Sequence, residues 1–255
     1  MRFLHLSDLH FGTEEGDIVQ HLNAAIDSIK PDLIVISGDF TQIANAKEFK
    51  KAHEFIKNLP APVFCIPGNH DISRYNWIER FFNPYKKYKK FISPDLSPVL
   101  TGDEFSMAGL NTARPILPHW NWANGAISKT QLNHLENFFA GERNKYRICV
   151  MHHPIHKAEK VPLKVTVFGA HAAMQTIHEL QIDLVLTGHV HHASITVIEN
   201  TVFASASTAI SRRLRSQENG FNVIDFGPDY FEISHLVYDG KNFLNSGSYK
   251  HQKNK

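Results

Sequence analysis

The chain has 255 residues, 42% of them hydrophobic and 20% charged, the texture of a globular protein long enough for a sizeable core. A formal charge of +2 argues against an extended nucleic-acid surface, and only two cysteines, each inside an apolar run, argue against a disulfide framework. No apolar run approaches the ~20 residues of a membrane span and the start of the chain carries no signal-peptide core, so a soluble cytoplasmic protein without a membrane partner is expected. The compositional oddity is 17 histidines.

Taken in chain order, five short apolar runs bounded by Gly or Pro read as buried strands. MRFLHLS leads into Asp8-Leu9-His10, and a helical pattern follows over 17–29. DLIVIS ends at Gly38-Asp39, ahead of a helical pattern over 46–58. PVFCIP runs into Gly68-Asn69-His70-Asp71, followed by a helical pattern over 77–91. A long loop over 109–128 then precedes a helix over 128–139, with Ser128 placed as its N-cap. YRICVM leads into His152-His153-Pro154, and a helical pattern covers 170–180. IDLVLT stops at Gly188-His189-Val190-His191-His192. Beyond Thr201 the runs TVFASAS, GFNVIDFG and YFEISHLVYDGKNF read as antiparallel strands, the last turning at Asp239-Gly240, with a flexible tail from about residue 246. No repeat or linker divides residues 1–255, so one domain is expected.

Alternating strands and helices predict an α/β fold with largely parallel central strands. In such sheets ligands gather outside the carboxyl ends of the strands, and five strands here each deliver Asp, Asn or His at that end. Glycines 38, 68 and 188 are placed where the backbone must turn sharply. Carboxylate, imidazole and one amide oxygen, with no thiolate, suit Mn, Fe or Zn in a reactive site over a structural cysteine-zinc site. The donors exceed what one tetrahedral metal takes; two metals sharing a carboxylate would use them.

The ordered motifs Asp-x-His, Gly-Asp, Gly-Asn-His-Asp, His-His-Pro and Gly-His-x-His, spread from residue 8 to residue 192, resemble the calcineurin-like metallophosphoesterase superfamily. The resemblance implies a four-layer αββα sandwich of two mixed sheets flanked by helices, with a dinuclear metal site at the C-terminal strand ends. It implies that Asp8, His10 and His191 hold one metal, that Asn69, His152 and His189 hold the second, and that Asp39 bridges them. His70 would be the catalytic residue, with Asp71 orienting its imidazole. The two cofactor ions would be divalent or trivalent Mn, Fe or Zn, and a metal-bound hydroxide would attack phosphorus. Length, motif wording and the lack of an added capping domain resemble most the class III cyclic-nucleotide phosphodiesterase branch, which implies small phosphodiester substrates, 3′,5′-cyclic nucleotides among them. Other phosphodiesterases, phosphomonoesterases and nucleases of the superfamily stay open, as does a non-catalytic scaffold; a nuclease would be expected to carry a basic track. A homodimer is left open too.

Around this centre, Arg114 is expected to pair with phosphate and Trp120 and Trp122 to form an aromatic wall for a leaving group, the alternative being that both rings pack over the sandwich. His153 and His192 adjoin expected ligands and would orient them or meet substrate. A second loop carrying His156 and His171 would form the opposite rim. His5 reads as a satisfied core residue, His21, His53, His134 and His178 as surface residues, and the lysine run over 86–90 as a solvated helix face.

Overall fold

The computed structural model describes residues 1–117, 121, 123–156, 165–215 and 217–253. Two six-stranded sheets face each other. The first is built on three parallel strands, β1 (Arg2–Leu6), β2 (Leu33–Ile36) and β3 (Val63–Cys65). Antiparallel strands β12 (Gly220–Phe226), β13 (Tyr230–Tyr238) and β14 (Phe243–Gln252) extend it beyond β1. The second sheet holds β5 (Phe105–Leu110), β7 (Tyr146–Met151), β9 (Leu184–Thr187) and β11 (Thr201–Ser205) in parallel. Its edges are the antiparallel strands β4 (Val99–Thr101) and β10 (Ser194–Ile198). A two-stranded ribbon joins β6 (Gly125–Ala126) to β8 (Val167–Phe168).

Strand periodicity assigns each side chain to one of three cores. Leu4, Leu6, Ile34 and Ile36 point outward from the first sheet, against α1 (Gly16–Ile29) and α2 (Ala46–Lys57). Phe3, Leu33 and Val35 point inward and meet Ile148 and Val150 of the second sheet. Cys149 and Met151 face the opposite way, against α5 (Lys129–Gly141) and α6 (Ala170–Glu179). The expected αββα layering is thus present, and β2 and β9 are buried throughout because both of their faces are covered. No helix among the described residues is long and apolar enough to cross a membrane.

Ser128 caps α5 as expected: its side chain accepts from the Gln131 N–H, and Gln131 reaches back to the Ser128 N–H. Three expectations are corrected. The pattern over 77–91 is two short helices, α3 (Trp77–Phe82) and α4 (Lys86–Phe91), because Pro84 cannot donate and pushes Asn83 out of the helical region. The segment TVFASAS runs parallel to β9, and only β10 is antiparallel to it. Residues expected to form a flexible tail belong instead to β14, where β13 satisfies their backbone groups, and Lys253 beyond it pairs with Asp183 at 2.8 Å.

Candidate metal centre

The carboxyl ends of β1, β2, β3, β7 and β9 converge, and the backbone there is held in unusual conformations. Among the described residues, five of the nine non-glycine residues with positive φ are Asp8, His10, Asp39, His189 and His191. Non-glycine residues rarely adopt this region, and such strain persists only where the surrounding structure enforces it, often at functional sites. Gly188 is needed for close approach: a Cβ there would lie 1.8 Å from Ser7 Oγ and 2.5 Å from Asp8 Oδ2. At Gly68 a Cβ would meet Asp39 Oδ1 at 2.1 Å.

Asp8 and Asp39 each have one carboxylate oxygen held by the protein and one aimed at imidazoles. Asp8 Oδ2 accepts from Ser7 Oγ at 2.6 Å and from the His189 N–H at 2.8 Å. Asp8 Oδ1 has no hydrogen-bond partner among the described residues and lies 3.1 Å from His191 Nε2 and 3.6 Å from His10 Nε2. Asp39 Oδ1 accepts from the His70 N–H at 2.8 Å, while its Oδ2 faces His10 Nε2 at 3.6 Å and His152 Nε2 at 3.3 Å. Burial alone would raise both carboxyls. The surrounding histidines overcome it, His191 and His10 at Asp8 and His152 and His70 at Asp39, and hold both well below the usual range.

The histidines are oriented by backbone carbonyls. Nδ1–H donates to Thr41 O from His10 (3.2 Å), to Ser37 O from His152 (2.8 Å) and to Arg213 O from His191 (2.6 Å). That tautomer leaves each Nε2 with a lone pair directed inward, the arrangement of a metal-ligating imidazole. His189 differs, meeting Asn69 Oδ1 through Nδ1 at 3.0 Å. Burial first, then His153 and His152, hold His189 well below the usual imidazole range.

These residues suit a cation. His10 Nε2 and His191 Nε2 lie 3.1 Å apart, two lone pairs facing each other. His152 Nε2 is buried and, although 3.3 Å from Asp39 Oδ2, is out of line for a hydrogen bond. Without a cation His152 retains a proton, because burial, which would lower its pKa, is outweighed by Asp39, and it is pushed up to about 9. Ligand atoms of Asp8, His10 and His191 lie within 4.8 Å of one another, as do those of Asp8, Asp39 and His152. His189 shares a third such group with His152 and His153 and meets Asn69, so the seven residues named as ligands from the motifs lie next to one another.

His70 stands at the rim of this cluster. Its Nδ1–H donates to Gln42 O at 2.7 Å and its Nε2 accepts from Arg213 Nη1 at 2.9 Å. Burial lowers its pKa to about 4, against the pull of Asp39. Asp71 does not orient this ring. Its carboxylate accepts from the Gly68 N–H at 2.9 Å and from the Thr41 N–H at 3.0 Å, tying the 3₁₀ turn Asn69–Asp71 to the loop after β2. The Gln42 carbonyl has the role expected of Asp71, since neighbours in a tight turn direct their side chains apart.

The residues expected to bind substrate separate. Arg114 donates to Asn111 O at 2.7 Å, to Ala113 O at 2.9 Å and to Gln131 Oε1, so its guanidinium fastens its own loop to α5. His153 is buried, Nδ1 meeting Thr112 Oγ1 at 2.7 Å and Nε2–H donating to Ala123 O at 3.0 Å, with its ring centroid 4.4 Å from that of His189. His192 is half-buried and lies 3.4 Å from Gln217 Nε2. Trp120 and Trp122 lie outside the described residues. Of the second loop, His156 packs its ring on Phe203 and His171 lies on α6. Motif reading missed Gln42 and Arg213. The only trace of Arg213 is the basic SRRLR at 211–215, which has no motif of its own.

A cleft of about 540 Å³ opens beside Asn69 and His70, lined also by Gln42, Arg74, Trp77 and Arg213. The sequence profile of the calcineurin-like phosphoesterases matches residues 1–193. The chain belongs to this family. It is a phosphoric ester hydrolase, and the family's divalent metal ions match the donor set at the strand ends. Among curated proteins it is 30% identical to a probable cyclic nucleotide phosphodiesterase of Coxiella burnetii, over 80% of this chain and 79% of the relative. It is 26% identical to a probable glycerophosphodiester phosphodiesterase of Arcobacter nitrofigilis, over 70% of this chain and 63% of the relative. In fold it is similar to a dimetal phosphatase from Danio rerio, with a TM-score of 0.72 and 12% identity, covering 100% of this chain and 99% of the other.

Proposed function

We propose that the protein hydrolyses small phosphodiesters at a two-metal centre, with 3′,5′-cyclic nucleotides as candidate substrates. The observation that carries this reading is Asp39: with Oδ1 held by the His70 N–H, its Oδ2 stands within 3.6 Å of His10 Nε2 and 3.3 Å of His152 Nε2. One carboxylate oxygen shared by two histidine groups is the arrangement of a bridge. Asp8, His10 and His191 would hold one ion, and Asn69, His152 and His189 the other. Two such ions would supply an acidified water and would offset charge on the attacking and leaving oxygens.

The rest is done by the chain's own groups. Gln42 O holds the Nδ1–H of His70, so Nε2 is the atom that meets a substrate oxygen and, when protonated, gives a proton to a leaving alkoxide. Arg213, 2.9 Å from that nitrogen, supplies the cation for a non-bridging phosphoryl oxygen that was expected of Arg114. Similarity to the Coxiella burnetii protein supports the diester reading, and similarity to the Arcobacter nitrofigilis protein keeps glycerophosphodiesters in the same class.

The test is a panel assay of protein reconstituted with Mn, Fe or Zn: bis-p-nitrophenyl phosphate, 3′,5′-cyclic nucleotides and a glycerophosphodiester against p-nitrophenyl phosphate. Diesters should be preferred in kcat/KM. A preference for the monoester over every diester would overturn the assignment and leave the metal centre standing.

A further inference from the structure

Helix α3 is turned inside out. Its two charged residues are the inward ones: buried Arg80 donates to Pro115 O at 2.8 Å and to Ser73 O at 3.1 Å, and Glu79 pairs with Lys87 at 2.6 Å. Its apolar residues face outward. Ile78 and Phe82, four apart on one side of the helix, are 74% and 87% exposed. Trp77 and Phe81, four apart beside them, are 53% and 49% exposed, with their rings stacked. With Tyr75, 69% exposed, these are five of the twelve large apolar side chains exposed among the described residues, all within eight positions. Single apolar residues on a surface are ordinary; a contiguous patch marks a face that something covers.

The next helix has the ordinary arrangement. α4 buries Tyr88 and packs Phe91 on the first core, and leaves Lys86, Lys89 and Lys90 in solvent. A depression of about 360 Å³, lined by Ile78, Phe82 and Lys86 among others, joins the apolar face of α3 to the first of these lysines. On its other side, Tyr75 and Trp77 reach the mouth of the cleft beside His70, together with Arg74. Positive charge is concentrated here. Residues 74–91 hold six Lys and Arg against one carboxylate, Glu79, in a chain whose formal charge is +2, so the remainder of the chain is net negative.

We infer that this face docks on an anionic lipid surface. Ile78 and Phe82 enter the boundary of the acyl chains, Tyr75 and Trp77 lie at headgroup level, and Arg74, Lys86, Lys89 and Lys90 meet lipid phosphates. A helix of six residues does not hold its shape alone. Here the bonds of Arg80 and the Asn76 cap, which accepts from the Glu79 N–H at 3.0 Å, fix it beforehand, so docking costs little ordering entropy. Docking of this kind needs no spanning segment, and no helix among the described residues offers one. A second copy fits the charges less well. A two-fold contact would set the patch on its own image, lysines included, and the one carboxylate of the segment is already paired. The inference does not depend on the chemistry of the metal centre.

The test is flotation of the full chain with vesicles of phosphatidylcholine alone and of phosphatidylcholine with about one third phosphatidylglycerol. It is run on the parent, on the double variant Ile78→Ser/Phe82→Ser and on the triple variant Lys86→Gln/Lys89→Gln/Lys90→Gln. The parent should bind the anionic vesicles at least about tenfold more tightly than the neutral ones, and should lose most of that binding between about 0.05 and about 0.5 M salt. The double variant should bind anionic vesicles at least about tenfold more weakly than the parent. The triple variant should lose most of the preference for anionic vesicles. Every substituted side chain is exposed, so an unmoved thermal midpoint is expected and checks that each variant is folded. No vesicle binding by the parent, equal binding to the two kinds of vesicle, or binding that survives the double substitution would overturn the inference. A parent that self-associates in sedimentation, and becomes monomeric on Ile78→Ser/Phe82→Ser without binding vesicles, would overturn it too and give the face to a second copy.

Discussion

His5 and His10 lie on β1 and its extension, both fully buried, yet they are held in opposite ways. His5 has a neutral partner on each side: Ser37 Oγ at 2.9 Å from Nε2 and Asn222 Nδ2 at 3.3 Å from Nδ1. Asn222 in turn accepts from His235 Nδ1 at 2.9 Å, so His5, Asn222 and His235 form one network. Burial pushes His5 down to about 3 and keeps it uncharged. His10 instead turns Nε2 toward two carboxylates and toward the lone pair of His191. Burial is the same in both places. A histidine with a neutral partner at both nitrogens is part of the core, while one fastened through Nδ1 to a carbonyl, with Nε2 facing carboxylates, is built to receive a cation.

The sharpest way to break this distinction is Asp39→Asn. An amide cannot offset two dications, so the variant should lose at least one metal and more than about a hundredfold in kcat/KM on bis-p-nitrophenyl phosphate, exceeding the ~10–100-fold typical of residues that only support ligands. Two metals per chain with near-parent turnover would show that the Asp39 cluster is no different from the His5 network.

His70→Ala comes next. Both metals should remain while kcat falls by roughly 10²–10⁴ with poor leaving groups, and by less with p-nitrophenolate, which needs no proton. Loss of metal on this substitution would move His70 from the rim into the ligand set.

Removing metal with a chelator should lower the thermal midpoint by about 5–10 °C, seen by scanning calorimetry. Saturation at 100 times Kd contributes ~2.7 kcal/mol, and a chain of this length shifts roughly 2–4 °C per kcal/mol. An unmoved midpoint would mean the facing lone pairs of His10 and His191 accept no ion.

Asn222→Ala approaches from the other side. It strands His5 and His235 in the interior and should cost about 1–3 kcal/mol in denaturant unfolding, with metal content and kcat/KM as in the parent. Loss of metal here would join the two networks into one. The smallest effect is expected at the thiols: burial pushes Cys65 up to about 11 and Cys149 up to about 12, so neither should react with a disulfide reagent at pH 8 until the protein is unfolded.

What the sequence determined by itself was the set of groups at the strand ends. Strand period and the Gly-bounded apolar runs are local properties, so the chain order of Asp8, His10, Asp39, Asn69, His70, His152, His189 and His191 was legible before any contact was known. The layering was legible for the same reason, since Leu33, Ile34, Val35 and Ile36 form a run long enough to be covered on both faces. Which atom of each group faces inward was decided only when the sheets closed. Thr41, Ser37 and Arg213 contribute carbonyls from distant segments, and these carbonyls, not the motifs, select the tautomers of His10, His152 and His191. Arg114 and Arg213 make the same point. One sits in a loop that reads as functional yet spends its donors on its own backbone; the other, beyond any motif, is carried to His70 by the return of the chain after β11. An arginine's reach is set by which acceptors surround it after folding, and those acceptors are not its neighbours in sequence.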